Sequence, residues 1–269
     1  MLKLTEFRKL NTLRVLTVNY FVAAGIAFLT TTRFVNPFTE ELLIPLPVLL
    51  LALLVGIFFI TNYFIYSKSV DHNGVGISVA AMRISLLIPV LLSTLWYREY
   101  LATGKWAGVV LVFMTLYLLL PNRSKGLLKS FQAGWLLLFI FLLTGFGDAS
   151  LKIYEADYSG FLSKQQFMGM VYTVSFISGI SVVLIREKGT FTRQELLMGT
   201  GIGVPNLYSA VFLIDALSGI SGGIVYTTTN ILTVLGATLL GIWRWNDRLT
   251  RTQWAGILLT LIAILLMIG

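Results

Sequence analysis

Residues 97–120 read YREYLATGKWAGVVLVFMTLYLLL, and residues 245–268 read WNDRLTRTQWAGILLTLIAILLMI. In both stretches an aromatic residue, an acidic residue, the triplet Trp-Ala-Gly and a long apolar run follow one another at the same spacing. Internal repeats on this scale are typical of secondary transporters. The chain is therefore predicted to contain two related halves, residues 1–120 and 131–269, joined by a polar linker at 121–130.

The composition of the chain is that of an integral membrane protein. Hydrophobic residues make up 57% and charged residues 12% of the sequence, whereas a soluble domain has roughly a quarter of its residues charged. The net charge of +8 fits Lys and Arg in cytoplasmic loops, and no basic segment is long enough to bind nucleic acid. Because the chain has no Cys and one His, thiolate chemistry and a His-based metal site are excluded, and we expect neither metal nor cofactor.

Apolar runs of the length needed for membrane helices, about 20 residues each, follow one another along the chain. A half with five helices has an odd number, so matched helices of the two halves run in opposite directions, as in inverted-topology repeats. The predicted fold is an all-α polytopic membrane protein with an inverted repeat of five-helix halves, nine helices being visible as four plus five. The runs are 15–32, 42–66, 75–97, 106–120, 134–151, 166–185, 197–216, 220–242 and 254–268.

The first half is one helix short. The run at 134–151 has no full counterpart, but residues 150–155, SLKIYE, match residues 1–6, MLKLTE. Two explanations remain open. Either the true start lies upstream of Met1, which we favour, or the protein has four helices plus five.

Several elements together resemble the EamA-type branch of the drug/metabolite transporter superfamily. They are the duplicated helix pair with Glu99 and Asp247, the Trp-Ala-Gly triplets, the stretch GIGVPN at 201–206 and the stretch AAMRISLLIPV at 80–90. The resemblance covers essentially the whole chain. It implies two inverted five-helix halves, a central cavity, and the export or exchange of small metabolites.

Arg83 is the strongest candidate for a functional residue. It lies within the apolar run at 75–97, about 12 Å from the start of a helix that rises 1.5 Å per residue. An Arg near the middle of a bilayer costs on the order of 3 kcal/mol on insertion scales. We expect it to bind an anionic substrate group or to pair with a coupling carboxylate; the alternative is an Arg that snorkels or locks two helices together.

Asp148 is the second candidate, because it lies near the end of the run at 134–151, just after Gly145 and Gly147. An intramembrane carboxylate is a candidate proton carrier, and Asp148 is a candidate partner for Arg83. The alternative is a helix-end residue among lipid headgroups. Lys152, one turn further on, and Asp215 are both interpreted as interfacial.

Other polar residues lie inside apolar runs. Asn206 follows Pro205 in a glycine-rich segment, which predicts either a broken helix that presents backbone groups to a substrate or a simple kink. Tyr226 and Asn230 are four residues apart and share a helix face, as do Asn62 and Tyr66. The predicted substrate-binding residues are therefore Arg83, Asn230, Tyr226, Asn206, Asn62 and Tyr66, with Asp148 for proton coupling.

Three charged or polar residues are given structural roles. Glu99 and Asp247 lie at the ends of apolar runs, and we interpret them as surface charges that cap the helices that follow. His72 lies in the sequence DHNG, which is typical of a turn.

The function predicted from these observations is secondary transport. The protein would export or exchange a small organic metabolite, amino-acid-like or drug-like, across the inner membrane by alternating access driven by protons or by the substrate gradient. An enzyme is not expected, since no carboxylate, His or Cys cluster offers a catalytic site. The main alternative is a non-transporting membrane scaffold or an incomplete transporter product. The expected partners are the small-molecule substrate and the bilayer, not nucleic acid; the oligomeric state is left open, a homodimer included.

Overall fold

The computed structural model describes residues 10–31, 44–73, 75–119, 134–186, 190–245 and 251–268. These residues form helices and short connections, and the described part of the chain contains no strand. The helices are α1 (Thr12–Leu29), α2 (Leu46–Asn73), α3 (Val75–Ile84), α4 (Leu87–Leu91), α5 (Thr103–Leu119), α6 (Gly134–Ile153), α7 (Lys164–Arg186), α8 (Arg193–Gly219), α9 (Gly222–Trp245) and α10 (Arg251–Ile268). Two π-helical turns, Leu92–Trp96 and Tyr154–Tyr158, continue α4 and α6.

The all-helical class predicted from the sequence is confirmed for these residues. Five of the described helical stretches are long and apolar enough to cross a membrane: Thr12–Leu29, Leu46–Asn73, Gly134–Tyr158, Lys164–Ile185 and Arg193–Gly219. The prediction of nine spans in an inverted repeat goes beyond these five and stays a prediction. The linker at 121–130 and Asp247 lie outside the described residues.

The chain divides into two compact units, each of which combines two segments that are separate in the sequence. The first unit lies in Met1–Thr61 and Ile153–Ser218, and the second unit lies in Asn62–Lys152 and Gly219–Gly269. In the first unit, α1 packs along α7. In the second unit, α5 packs along α10, and α9 contacts α4 and α5. Sequence neighbours are therefore not always packing partners.

Glycines bring helix backbones into close contact in the first unit. A Cβ atom added to Gly199 would lie 2.8 Å from the carbonyl oxygen of Val15, and one added to Gly203 would lie 2.9 Å from that of Asn19. Gly56 approaches α7 equally closely, and its carbonyl accepts a hydrogen bond from Ser175 Oγ at 3.1 Å. Small residues at such crossings allow tight van der Waals packing where no hydrophobic effect acts between helices.

The run at 75–97 does not form the single helix that its sequence predicts. It breaks after Ile84 into α3, α4 and the π-helical turn, because Pro89 has no N–H to donate to the carbonyl of Ser85. That carbonyl instead accepts a tighter bond from the N–H of Ile88 at 3.0 Å. The break leaves Arg83 in the last turn of α3, where the negative end of the helix dipole favours a cation.

One pair of alternatives is narrowed, and one expectation about local structure is wrong. The helix α8 continues through Pro205, so the broken helix is excluded for this segment. His72, expected in a turn between helices, instead belongs to the last helical turn of α2. Its Nδ1 is 2.8 Å from the carbonyl oxygen of Lys68. In both places the hydrogen bonds of a long helix outweigh a local preference for turns.

Candidate functional site

Arg83 belongs to the second unit and is half-buried. Its Nη1 donates a long hydrogen bond of 3.5 Å to Oδ1 of Asn230 on α9. Its Nε is buried and has no hydrogen-bond partner among the described residues. Arg83 is thus held at one end of its guanidinium, while at least one of its five donors remains available.

Asp148, on α6, attracts Arg83 electrostatically, and Tyr66 of α2 also lies within electrostatic range of the guanidinium. Arg83 and Asp148 do not form a direct ion pair. A polar contact of this kind, longer than a hydrogen bond, is often bridged by a water molecule in proteins. The pairing predicted from the sequence is therefore found as proximity, not as a salt bridge.

The approach of α6 to the broken helix depends on Gly145. A Cβ atom on this residue would lie 2.8 Å from the carbonyl oxygen of Ser85 and would also overlap the side chain of Ile88. Gly145 precedes Asp148 by three residues, so both lie on one face of α6. The absence of a side chain at Gly145 thus brings the carboxylate of Asp148 towards Arg83.

Two hydrogen bonds tie neighbouring helices to the same face of α6. Tyr226 of α9 donates its hydroxyl to the backbone carbonyl of Asp148 at 2.8 Å. Asn62 of α2 donates Nδ2 to Thr144 Oγ1 at 3.1 Å. Together, Arg83, Asp148, Asn62, Tyr66, Tyr226 and Asn230 form what we call the Arg83 cluster.

Several buried polar atoms of the second unit have no hydrogen-bond partner among the described residues. Most buried polar groups in proteins are hydrogen-bonded, so each exception calls for an explanation such as bound water or a ligand. In an apolar surrounding an unmade hydrogen bond costs about 1–3 kcal/mol. The atoms are Asn62 Oδ1, Arg83 Nε, Ser93 Oγ, Ser221 Oγ, Thr227 Oγ1 and Thr228 Oγ1.

Asn206 lies in the first unit, apart from the unit that holds the Arg83 cluster. Its Nδ2 donates to Oδ1 of Asn19 on α1 at 3.2 Å, and its carbonyl accepts from the hydroxyl of Tyr172 on α7 at 3.1 Å. Tyr172 also stacks on Tyr20, with ring centroids 6.0 Å apart. These contacts describe a polar link between three helices of one unit, and a role of Asn206 in substrate binding stays a prediction.

Lys152, which is buried, forms an ion pair with the partly buried Glu99, and the sequence did not predict this pair. The residue expected at the interface, Lys152, is only 4% exposed, and its Nζ lies 2.7 Å from Oε1 of Glu99. Glu99 does not cap the helix that follows it; its Oε2 accepts the N–H of Gly222, the first residue of α9, at 2.6 Å. One feature of the sequence could have indicated that Lys152 is buried: it lies one turn after Asp148, on the same face of the helix.

Asp215 and His72 are the other described ionisable residues to which the sequence assigned a role, and both are exposed. Asp215 is exposed and pairs with Lys164, as expected for a residue at a helix end. Within the residues that the structure describes, no group of three His, Cys, Asp or Glu side chains is arranged to hold a metal ion.

Comparison with known proteins places the fold but assigns no activity. No family model matches the chain. An uncharacterized protein of Haemophilus influenzae is 29% identical over 217 residues, which are 79% of this chain and 72% of that protein. A protein of known crystal structure shares the fold with a TM-score of 0.76 at 10% identity, over 96% of this chain and 89% of that one.

Proposed function

We propose that this protein is a secondary transporter that exports or exchanges a small organic metabolite across the inner membrane by alternating access. One observation carries the proposal: an apolar helical unit holds Arg83 and Asp148 near each other without a direct ion pair, among buried polar atoms that have no described partner. Ionisable groups inside a membrane are costly, and they mark substrate or ion pathways.

Arg83 is the group that would bind substrate. Its Nε has no described partner and its Nη1 contacts Asn230 only through a long bond of 3.5 Å, so a carboxylate or phosphate can displace the amide. A guanidinium binds such planar anions with two parallel hydrogen bonds. Oδ1 of Asn62 and the hydroxyls of Thr227 and Thr228, which have no described partner, are further candidates for hydrogen bonds to such a molecule.

Asp148 is the group that would couple transport to protons. Arg83 attracts the ionised carboxylate of Asp148, and an anionic substrate bound to Arg83 would oppose that attraction. Substrate binding and protonation of Asp148 are therefore thermodynamically linked, and each favours the other. This linkage is what proton-coupled exchange of an anionic or zwitterionic molecule requires.

The internal repeat and the resemblance to EamA-type transporters support the same function. In such repeats, substrate sites lie near the middle of the bilayer beside interrupted helices. The break between α3 and α4 next to Arg83 is an interruption of this kind. Asn206, which follows Pro205 in α8 of the first unit, is retained as a further candidate for substrate contact.

The experiment that tests the proposal begins with ligand binding by purified protein. A panel of amino acids, carboxylates and amphipathic drugs is screened for a rise in the unfolding temperature of the wild type and of Arg83→Gln. A ligand that stabilises only the wild type is then assayed for counterflow in proteoliposomes. Accumulation of labelled ligand against its gradient supports a transporter. Binding that depends on Arg83 without any counterflow would instead favour a membrane protein without a transport cycle.

A further inference from the structure

Glu99 contacts three separate elements of the second unit. Its Oε1 pairs with Nζ of Lys152 at 2.7 Å, at the end of α6, and its Oε2 accepts the N–H of Gly222 at the start of α9. Its own N–H donates to the carbonyl of Ser93 in the π-helical turn at 3.1 Å. Through one side chain, Glu99 joins the ends of α6 and α9 to the segment that follows α4.

These elements also carry the Arg83 cluster. Lys152 is one turn beyond Asp148 on α6, and Gly222 is one turn before Tyr226 on α9, about 6 Å along each axis at 1.5 Å per residue. Arg83 precedes the same broken segment that leads to Glu99. The ion pair therefore holds together the walls of the cluster, one helical turn away from its charged and hydroxyl groups.

We propose that Glu99 and Lys152 form a clasp that closes the Arg83 cluster towards one side of the membrane and that opens during the transport cycle. The proposal rests on the transport function proposed above. When the pair separates, the end of α6 is free to move away from the start of α9, and the cluster becomes accessible to solvent from that side. The clasp is thus a gate, and neither residue is required to touch the substrate.

The surroundings of Glu99 suit a contact that separates. Arg98 has φ of 52°, a left-handed conformation that non-glycine residues rarely adopt, and a π-helical turn precedes it. Both features occur preferentially at functional sites. The hydroxyl of Ser93 is buried without a described partner, and a Cβ atom on Gly222 would overlap it. Ser93 thus lies against the start of α9, beside the N–H that the carboxylate of Glu99 accepts.

The absence of cysteine from the chain permits a direct test. A single reporter, Thr228→Cys, is placed on α9 between the cluster residues Tyr226 and Asn230, and sealed vesicles are treated with a membrane-impermeant maleimide on each side in turn. Glu99→Gln and Lys152→Met are then added separately; the first keeps an acceptor for Gly222 and the second keeps the carboxylate. Lys164→Met, which removes an exposed ion pair of the first unit, serves as the matched control.

We expect both clasp variants to raise the alkylation rate at least about fivefold from one side only, the lower end of typical coupling between sites. The control should leave it unchanged. Folded clasp variants with an unchanged alkylation rate would overturn the proposal. Failure of both clasp variants to fold would also overturn it, since the ion pair would then be a fixed part of the fold. The alkylation rate does not depend on transport. Faster alkylation of the clasp variants, together with no counterflow by the wild type, would support the clasp and contradict the proposed transport function.

Discussion

Replacing Gly145 tests whether the close contact of α6 with the broken helix determines the position of Asp148. In Gly145→Ala, the new Cβ atom would lie 2.8 Å from the carbonyl oxygen of Ser85 and 2.9 Å from Cβ of Ile88. Real Cβ contacts are almost never shorter than 3.0 Å. Since neither a backbone carbonyl nor a Cβ atom can rotate away, α6 must move away from Ser85 by several tenths of an ångström.

Overpacking of this kind costs about 1–3 kcal/mol of unfolding free energy. At roughly 2–4 °C per kcal/mol for a chain of this size class, the unfolding temperature should fall by several degrees. Helix propensity acts in the opposite direction, because Ala is favoured over Gly by up to about 1 kcal/mol in a helix interior. We therefore expect the net loss to lie towards the lower end of this range.

The matched control is Gly201→Ala in α8, where an added Cβ atom has no neighbour within 4 Å. Only the helix-propensity gain applies there, so this variant should be as stable as the wild type or slightly more so. Thermal unfolding of both variants in the same detergent measures the difference. Equal unfolding temperatures for the two alanine variants would refute the role given to Gly145.

Three further predictions concern the Arg83 cluster. Arg83→Gln should abolish the stabilisation of the protein by any anionic ligand found in the screen. Arg83→Lys should retain part of this stabilisation, because the positive charge remains. Full stabilisation of the Gln variant by the ligand would contradict the role given to Arg83. Asp148→Asn should abolish gradient-driven transport but spare ligand binding and exchange, and full driven transport by this variant would exclude Asp148 as the proton carrier. Tyr226→Phe removes the hydrogen bond to the carbonyl of Asp148 and should lower stability by about 0.5–1.5 kcal/mol; Tyr208→Phe, in α8 of the first unit, provides the comparison, with no loss expected.

The secondary structure of this chain could be predicted because its signal is local. An apolar stretch in a membrane satisfies its backbone hydrogen bonds only as a helix, so each apolar run coincides with one or more described helices. The errors occurred where two local effects compete. Pro89 and Pro205 both lack an N–H, yet the chain breaks near the first and continues through the second.

The candidate site could be predicted in part. Arg83 and Asp148 were identified because a charge inside an apolar run is costly wherever the helix packs. Lys152 and Glu99 were assigned to the surface. The sequence does not distinguish a charge near a helix end that is exposed from one that is buried. Whether such a side chain meets lipid headgroups or a buried counterion depends on which helix end lies opposite.

By itself, the sequence determined that the protein is helical and that its long helices are apolar enough to cross a membrane. It also determined which charged side chains lie within apolar runs. Those properties follow from composition and from hydrogen bonding within one segment. Tertiary structure alone decided that Glu99 contacts the start of α9 and that Gly145 lies against the carbonyl of Ser85. It also decided which polar residues share a unit: Asn62, Arg83, Asp148 and Tyr226 belong to the second unit, and Asn206 belongs to the first. These contacts join residues far apart in the chain, and they arise from the packing of small side chains between helices, which no local pattern encodes.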